Sequence, residues 1–465
     1  MVDSRVVGRI RSPAVALLLA AVAGALAWRG TPVGSETATM LGIAAFCIVL
    51  WVLTPIPPSY TGLVCIGLVG ATFSADLALV GFQSPATWLV GFGLLVGEAT
   101  RRSGLGSWAG RWLVARSVPD RARDDPVRAY ASLLAAMCAG AVSLAFLVPS
   151  TLVRVLVLAP VLRETGSLFD SREAKVGLFV APLFATFYGS VGIFTAGLPN
   201  IVISGIAESV GGPSVSWTRW TATLFPVMTV GRTLLIAGAT FVMYRPSASA
   251  TVDVPEGGPA TPSASVRRMF LFLLVGVAVW MTDSVHGLHP LFGAIAVVVL
   301  AFLPRVGVVD FEDVSGAVDY SILFFIGAVF AVGEGLARTG FADSAAESLL
   351  ALVPTDAGLP VTLGVVFLAT LALTFLMEGL AVASVVTPVV VEYAGQVGVP
   401  VEPVMMTEAM ALATYFFPFQ SAVLVGILAE DVVDAPELIR SATVFSLLSI
   451  VVLVPIQVGI LVLLY

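Results

Sequence analysis

Four short polar stretches break otherwise apolar sequence, and they hold the groups able to do chemistry. They are Pro149-Ser150-Thr151, the run Gly192-Ile-Phe-Thr195-Ala-Gly197-Leu-Pro199-Asn200, the pair Glu378-Gly379, and Phe417-Pro418-Phe419-Gln420-Ser421. A helix broken inside hydrocarbon frees backbone groups, and such irregular backbone survives only where protein or a watery cavity surrounds it. The N–H groups opening a half-helix suit an anion, and unwound carbonyls suit Na⁺. Two charges stand beside the breaks. Arg154 follows the first by three residues, and Glu378 lies in the third. A charge at membrane depth costs at least ~2.5–3.5 kcal/mol, so Arg154 needs an anionic partner. Glu378 is a candidate to bind a cation, Na⁺ or a proton, and a direct Arg154–Glu378 pair is the competing reading. Arg232 is a second charge inside an apolar run, best read as a structural bridge.

Such breaks need a frame that crosses lipid. Of 465 residues, 58% are hydrophobic and 11% charged; a soluble domain carries about 25% charged residues. The chain therefore reads as an all-α polytopic membrane protein. Candidate spans are 13–29, 38–55, 59–79, 84–101, 218–244, 267–285, 289–304, 319–337 and 437–464, with broken spans at 173–210 and 403–430. Residues 128–163 and 358–394 read as re-entrant hairpins with half-length arms, tipped by the Ser150-Thr151 and Glu378-Gly379 breaks. That makes about eleven transmembrane helices plus two hairpins. The polar, Pro- and Gly-rich segment 245–266 reads as a linker.

The two sides of this linker repeat each other. Gly91, Gly97, Glu98, Arg102, Ser103 and Gly104 are echoed by Gly327, Gly333, Glu334, Arg338, Thr339 and Gly340, so both copies fit G-x5-G-E-x3-R-[ST]-G. Odd crossing parity between them makes the repeats inverted, the arrangement of many transporters. The division follows: 1–37, N-terminus and first helix; 38–244, first repeat, with a scaffold part 38–117 and a site-bearing part 128–244; 267–465, second repeat, with corresponding parts 267–345 and 358–465. Glu98/Arg102 and Glu334/Arg338 have the i,i+4 spacing of structural ion pairs. With the N-terminus inside, 18 of the 23 Lys and Arg residues fall on the inner face, so the positive-inside rule predicts a cytoplasmic N-terminus and an outer C-terminus.

Other classes fit poorly. Cys47, Cys65 and Cys138 lie in apolar runs, and His286 with His289 cannot form an HExxH zinc site, so no metal or cofactor is expected. A net charge of −7 without a basic tract argues against nucleic acid. Facing Asp pairs for intramembrane hydrolysis are missing, so no enzyme is expected. Arg5, Arg9 and Arg11 before 13–28 look like a signal peptide, but the many later spans favour an uncleaved helix.

At Gly192 to Asn200, at Gly97 to Gly104 with its echo, and at the hairpin prolines Pro160 and Pro388, the chain resembles the divalent anion:sodium symporter family. That family sits in a superfamily of citrate, arsenite and sodium/proton carriers. The resemblance implies an elevator-type homodimer in a cell membrane, moving a small divalent anion such as sulfate or a di- or tricarboxylate with Na⁺ or H⁺. An antiporter of the arsenite or sodium/proton type, or an anion exchanger, is the alternative. Carried over, Ser150, Thr151, Arg154, Thr195, Pro199, Asn200, Gly379, Gln420 and Ser421 would meet substrate. Ser150, Thr151, Gly197, Glu378, Gly379 and Pro418 would meet the coupling cation. The chain departs from the family where hairpin tips usually read Ser-Asn-Thr: here they read Ser150-Thr151-Leu152 and Glu378-Gly379-Leu380. Both asparagines are missing, which puts sodium coupling in question.

Overall fold

The computed structural model describes residues 13–30, 35–53, 57–119, 125–253, 261–352, 358–376 and 379–465. After α1 (Pro13–Gly30), the same succession of helices runs twice. The first pass is α2 (Ser35–Leu53), α3 (Pro58–Thr72), α4 (Pro85–Ser103), α5 (Leu105–Ser117), α6 (Pro126–Leu147), α7 (Thr151–Ser167), α8 (Arg172–Tyr188), α9 (Leu198–Ser209) and α10 (Trp217–Tyr244). The second is α11 (Ala264–Met281), α12 (Leu291–Ala301), α13 (Ile322–Arg338), α14 (Phe341–Leu352), α15 (Gly358–Thr374), α16 (Gly379–Val397), α17 (Val401–Leu412), α18 (Ala422–Leu428) and α19 (Ala435–Leu464). Seven of the described helices are long and apolar enough to cross a membrane, or eight if α13 and α14, bent by 72°, form one span.

Local chemistry explains the repetition. Gly104 and Gly340, which close the two copies of the sequence motif, both take φ = +79°, a left-handed conformation that glycine adopts without Cβ strain. Each thus ends one helix and turns the chain into the next. The motif's ion pairs form as spaced: Glu98 binds Arg101 and Arg102, at 2.6 and 2.8 Å, and Glu334 binds Arg338 at 2.7 Å. Both halves finish on a long helix with a π-helical turn, Phe225–Gly231 in α10 and Ser449–Leu453 in α19. Pro160 and Pro388 occupy the same position along α7 and α16.

The hairpins fold back, but their arms are longer than the sequence suggested. In the first, α6 has 22 residues and α7 has 17. Leu144, Val148 and Val157 share one buried cluster across the turn. Two ion-pair groups show the hairpins entering from opposite faces. Arg163 at the base of the first hairpin pairs with Glu430 (2.5 Å), and Arg172 with Asp434 and Glu437 (2.9 and 3.0 Å), all just beyond α18. Arg219 pairs with Glu402 (3.1 Å) at the start of α17, where the second hairpin ends. Because α17 and α18 are the two halves of one broken span, the groups mark its opposite ends.

Each hairpin's second arm lies on the bent helix pair of its own half, α7 on α4–α5 and α16 on α13–α14. Glycines set the first contact. A Cβ added at Gly97, Gly106 or Gly110 would fall 2.9, 2.0 or 2.1 Å from Val153, Val157 or Val161, one turn apart along α7. The second arms also cross between halves: α7 packs against α18, and α16 against α9.

Candidate functional site

The first broken span is held open by side chains that replace lost helix hydrogen bonds. After α8, two 3-10 turns (Gly189–Gly192 and Phe194–Ala196) lead to α9. Their carbonyls find donors inside the protein. Asn200 Nδ2 donates to the carbonyls of Ser190 (3.1 Å) and Ile193 (3.2 Å). Trp220 Nε1 donates to Val191 (2.9 Å), and Thr229 Oγ1 to Gly189 (2.6 Å). Gly192 is required here, since a Cβ would fall 2.2 Å from Thr229 Oγ1. Thr195 is fully buried, and its hydroxyl accepts from Trp217 Nε1 (3.1 Å).

The first hairpin tip is tied to this break. Ser150 caps α7, accepting from the Val153 N–H. The Thr151 hydroxyl donates to the Ala196 carbonyl (3.1 Å), which brings the N-terminus of α7 beside that of α9. Gly197 precedes α9 without a side-chain cap, and half-buried Pro199 lies in its first turn. Arg154 is fully buried. Its guanidinium donates to Thr186 Oγ1 (2.9 Å), Thr151 Oγ1 (2.9 Å) and the carbonyls of Val148 (2.6 Å), Thr186 (3.2 Å) and Ala196 (3.0 Å). Among the described residues, the partners of Arg154 are neutral oxygens at two chain breaks.

The second break has its own arginine. Arg232, from the π-turn junction of α10, is buried at 1% exposure. It donates to the carbonyls of Tyr188 (3.0 Å) and Ala413 (3.0 Å), the first at the end of α8 and the second just past α17. Ser449 Oγ in the π turn of α19 accepts from its Nε (3.0 Å). A fixed cation thus serves two helix C-termini at once, where partial negative charge collects. Tyr188 adds a second link between the breaks, its hydroxyl donating to the Tyr415 carbonyl (2.6 Å).

Gln420 locks the second break onto the second hairpin. Its Oε1 accepts from the N–H groups of Phe416 (2.6 Å) and Phe417 (2.8 Å), while Nε2 donates to the Thr374 carbonyl (3.0 Å). Ser421 caps α18 through the Val423 N–H, and Pro418 is half-buried in the 3-10 turn before it. Gly379 is buried as the first residue of α16. Glu378 lies outside the described residues.

Arg154, Thr195, Asn200 and Gln420 are buried and hydrogen-bonded within or beside the breaks. Ser150, Thr151, Pro199 and Pro418 remain partly exposed around the helix starts. Sequence reasoning missed Glu408, fully buried on α17 and bonded to Thr387 Oγ1 at 2.8 Å. The signal was there: an acidic residue inside a membrane span is a functional candidate by default.

Two inverted halves, each with a hairpin docked on a broken helix, form a carrier's architecture, and the citrate transporter family matches this sequence over residues 48–413. The chain belongs to that family. This citrate-transporter-family member is a multi-pass membrane transporter rather than an enzyme, within the superfamily to which the sequence motifs pointed. Similar curated proteins include the L-tartrate/succinate antiporter of Escherichia coli (strain K12), 22% identical, and that of Shigella flexneri, 24% identical. Each alignment covers 93% of this chain and 95% of the relative. The crystal structure of the Alcanivorax borkumensis YdaH transporter matches 92% of the chain with a TM-score of 0.50, covering 97% of that protein at 15% identity. That likeness concerns fold alone.

Proposed function

We propose that the chain exchanges small dicarboxylates across a cell membrane without drawing on a sodium gradient. The observation that carries this reading is the occupancy of the freed carbonyls. Five of them, at Val148, Tyr188, Ile193, Ala196 and Ala413, accept from Arg154, Arg232 or Asn200. A tethered guanidinium supplies positive charge for a dianion but cannot leave with it. Substrate carboxylates would lie against the N-termini of α7 and α9, with Ser150 as a hydroxyl donor. The names of the curated antiporters support both the substrate class and the exchange.

The moving part in this reading is α6–α10 with α15–α19, sliding as an elevator against α1–α5 and α11–α14 in a homodimer. Cross-packing of α7 on α18 and α16 on α9 supports its acting as one body. The arginine distribution supports a cytoplasmic N-terminus and an outer C-terminus. The test uses proteoliposomes loaded with unlabelled succinate. Labelled succinate should enter equally fast in sodium and in choline, and should enter poorly when the lumen holds no dicarboxylate. Uptake that requires Na⁺ and ignores internal succinate refutes the reading in favour of symport.

A further inference from the structure

Glu408 is the one fully buried carboxylate among the described residues, and the two arginines do not account for it. It stands one helical turn before the end of α17, facing the second arm of the second hairpin. The Thr387 hydroxyl, adjacent to Pro388 in α16, donates to Oε1 (2.8 Å), while Oε2 has no hydrogen-bond partner among the described residues. Ionised, this group would be an anion in a dry seam with a single donor, an arrangement proteins avoid by keeping the proton. A sodium ion needs more oxygen ligands than a hydroxyl and one carboxylate supply, and no cluster of three His, Cys, Asp or Glu residues occurs among the described residues. Among the described residues, the elements packed against α17 bring no counter-ion to Glu408. Helix α15 has no titratable group; α16 carries Glu392 and Tyr393 beyond the Thr387 contact; α9 carries Glu208 at its far end; α19 carries Glu437 and Arg440 in its first half, whereas its last half, Val454–Leu464, packs on α17 and leads to Tyr465; and Glu402 opens α17 itself. Arg232 approaches the Met410 carbonyl at 3.5 Å, with its guanidinium committed to the helix ends.

We propose that Glu408 and Thr387 form a proton-binding site in the seam between the second hairpin and α17. The proton is held while the seam is dry and leaves when water reaches it, so deprotonation drives α16 and α17 apart. Transport then slows as pH rises. This rests on the chain being a carrier but not on its sodium independence.

Two readouts test it in the full-length protein. Infrared difference spectra at neutral pH should show the carbonyl stretch of a protonated carboxyl that Glu408→Gln removes. Succinate counterflow, measured against pH in choline and in sodium, should fall by up to about tenfold per unit on its alkaline side. In Glu408→Gln the profile should be flat on that side, whatever its absolute rate. Thr387→Val, which removes the one donor favouring the ionised form, should move the fall to higher pH. A Glu408→Gln variant with the wild-type slope, an unshifted Thr387→Val, or a wild type lacking the band overturns the proposal. A sodium requirement in the same assay would overturn the exchange reading and leave the proton site standing.

Discussion

Replacing Arg154 with methionine keeps the stem and removes the guanidinium, so it measures how far a single cation holds the first hairpin to the first break. Five hydrogen bonds disappear. Two of them ended on threonine hydroxyls, which can turn to other partners. The Ala196 carbonyl keeps the Thr151 hydroxyl as donor. The carbonyls of Val148 and Thr186 lose their arginine donor in a dry environment, at about 1–3 kcal/mol each. Removing a buried charge returns part of that loss, which leaves a net destabilisation of about 3 kcal/mol. Lysine in the same place offers a compact ammonium without the planar fork, so Arg154→Lys should fall between wild type and Arg154→Met. Thermal unfolding in detergent, followed by tryptophan fluorescence, gives the order. A second prediction attaches to the same variants: if the guanidinium stands where a cation would otherwise sit, Na⁺ should raise the melting temperature of Arg154→Met above its value in choline and leave wild type unchanged. Arg154→Met melting with wild type in choline refutes the assignment of Arg154 as the tie between tip and break.

Gly106→Val would thrust side-chain atoms into Val157, since a Cβ alone falls 2.0 Å from Val157 Cγ1; the expected cost is about 1–3 kcal/mol, restored in large part by Val157→Ala in a double-mutant cycle, and full additivity would show that the two do not touch. Asn200→Asp would aim a carboxylate oxygen at the carbonyls of Ser190 and Ile193, so it should unfold at lower temperature than Asn200→Ala; the reverse order would mean that the amide does not face those carbonyls.

The twofold plan was legible in sequence because its markers are local. Gly104 and Gly340 have left-handed backbone that few other residues accept, and each polar break is conspicuous against apolar neighbours. Hairpin prolines at matching offsets came from the same kind of reading. The direction in which a polar side chain turns was not legible. Asn200 and Gln420 could equally have faced a cavity or a carbonyl, since the acceptors of Gln420 and Arg154 come from other elements brought close only by the fold. Arg154 illustrates the difficulty: charge logic asked for an anion, and the described residues answer with carbonyls and hydroxyls at two breaks. Glu408 was overlooked beside Glu378, although both are acids within apolar sequence.

On the exchange reading, those same arginines explain why an empty carrier stays put. A symporter that releases Na⁺ along with its anion recrosses the bilayer without either charge. Arg154 and Arg232 belong covalently to the part proposed to move, so a vacant site keeps their positive charge and a dicarboxylate cancels it. If the vacant form bears even the low estimate for one uncompensated charge at membrane depth, ~2.5–3.5 kcal/mol, its crossing is slower by about a hundredfold or more, at tenfold for each 1.36 kcal/mol. The ratio of succinate counterflow to net succinate efflux from the same vesicles reads that penalty directly. A ratio near one would mean that the guanidinium charges are neutralised by the surrounding dipoles in the empty state, and exchange would then need a steric cause instead of an electrostatic one.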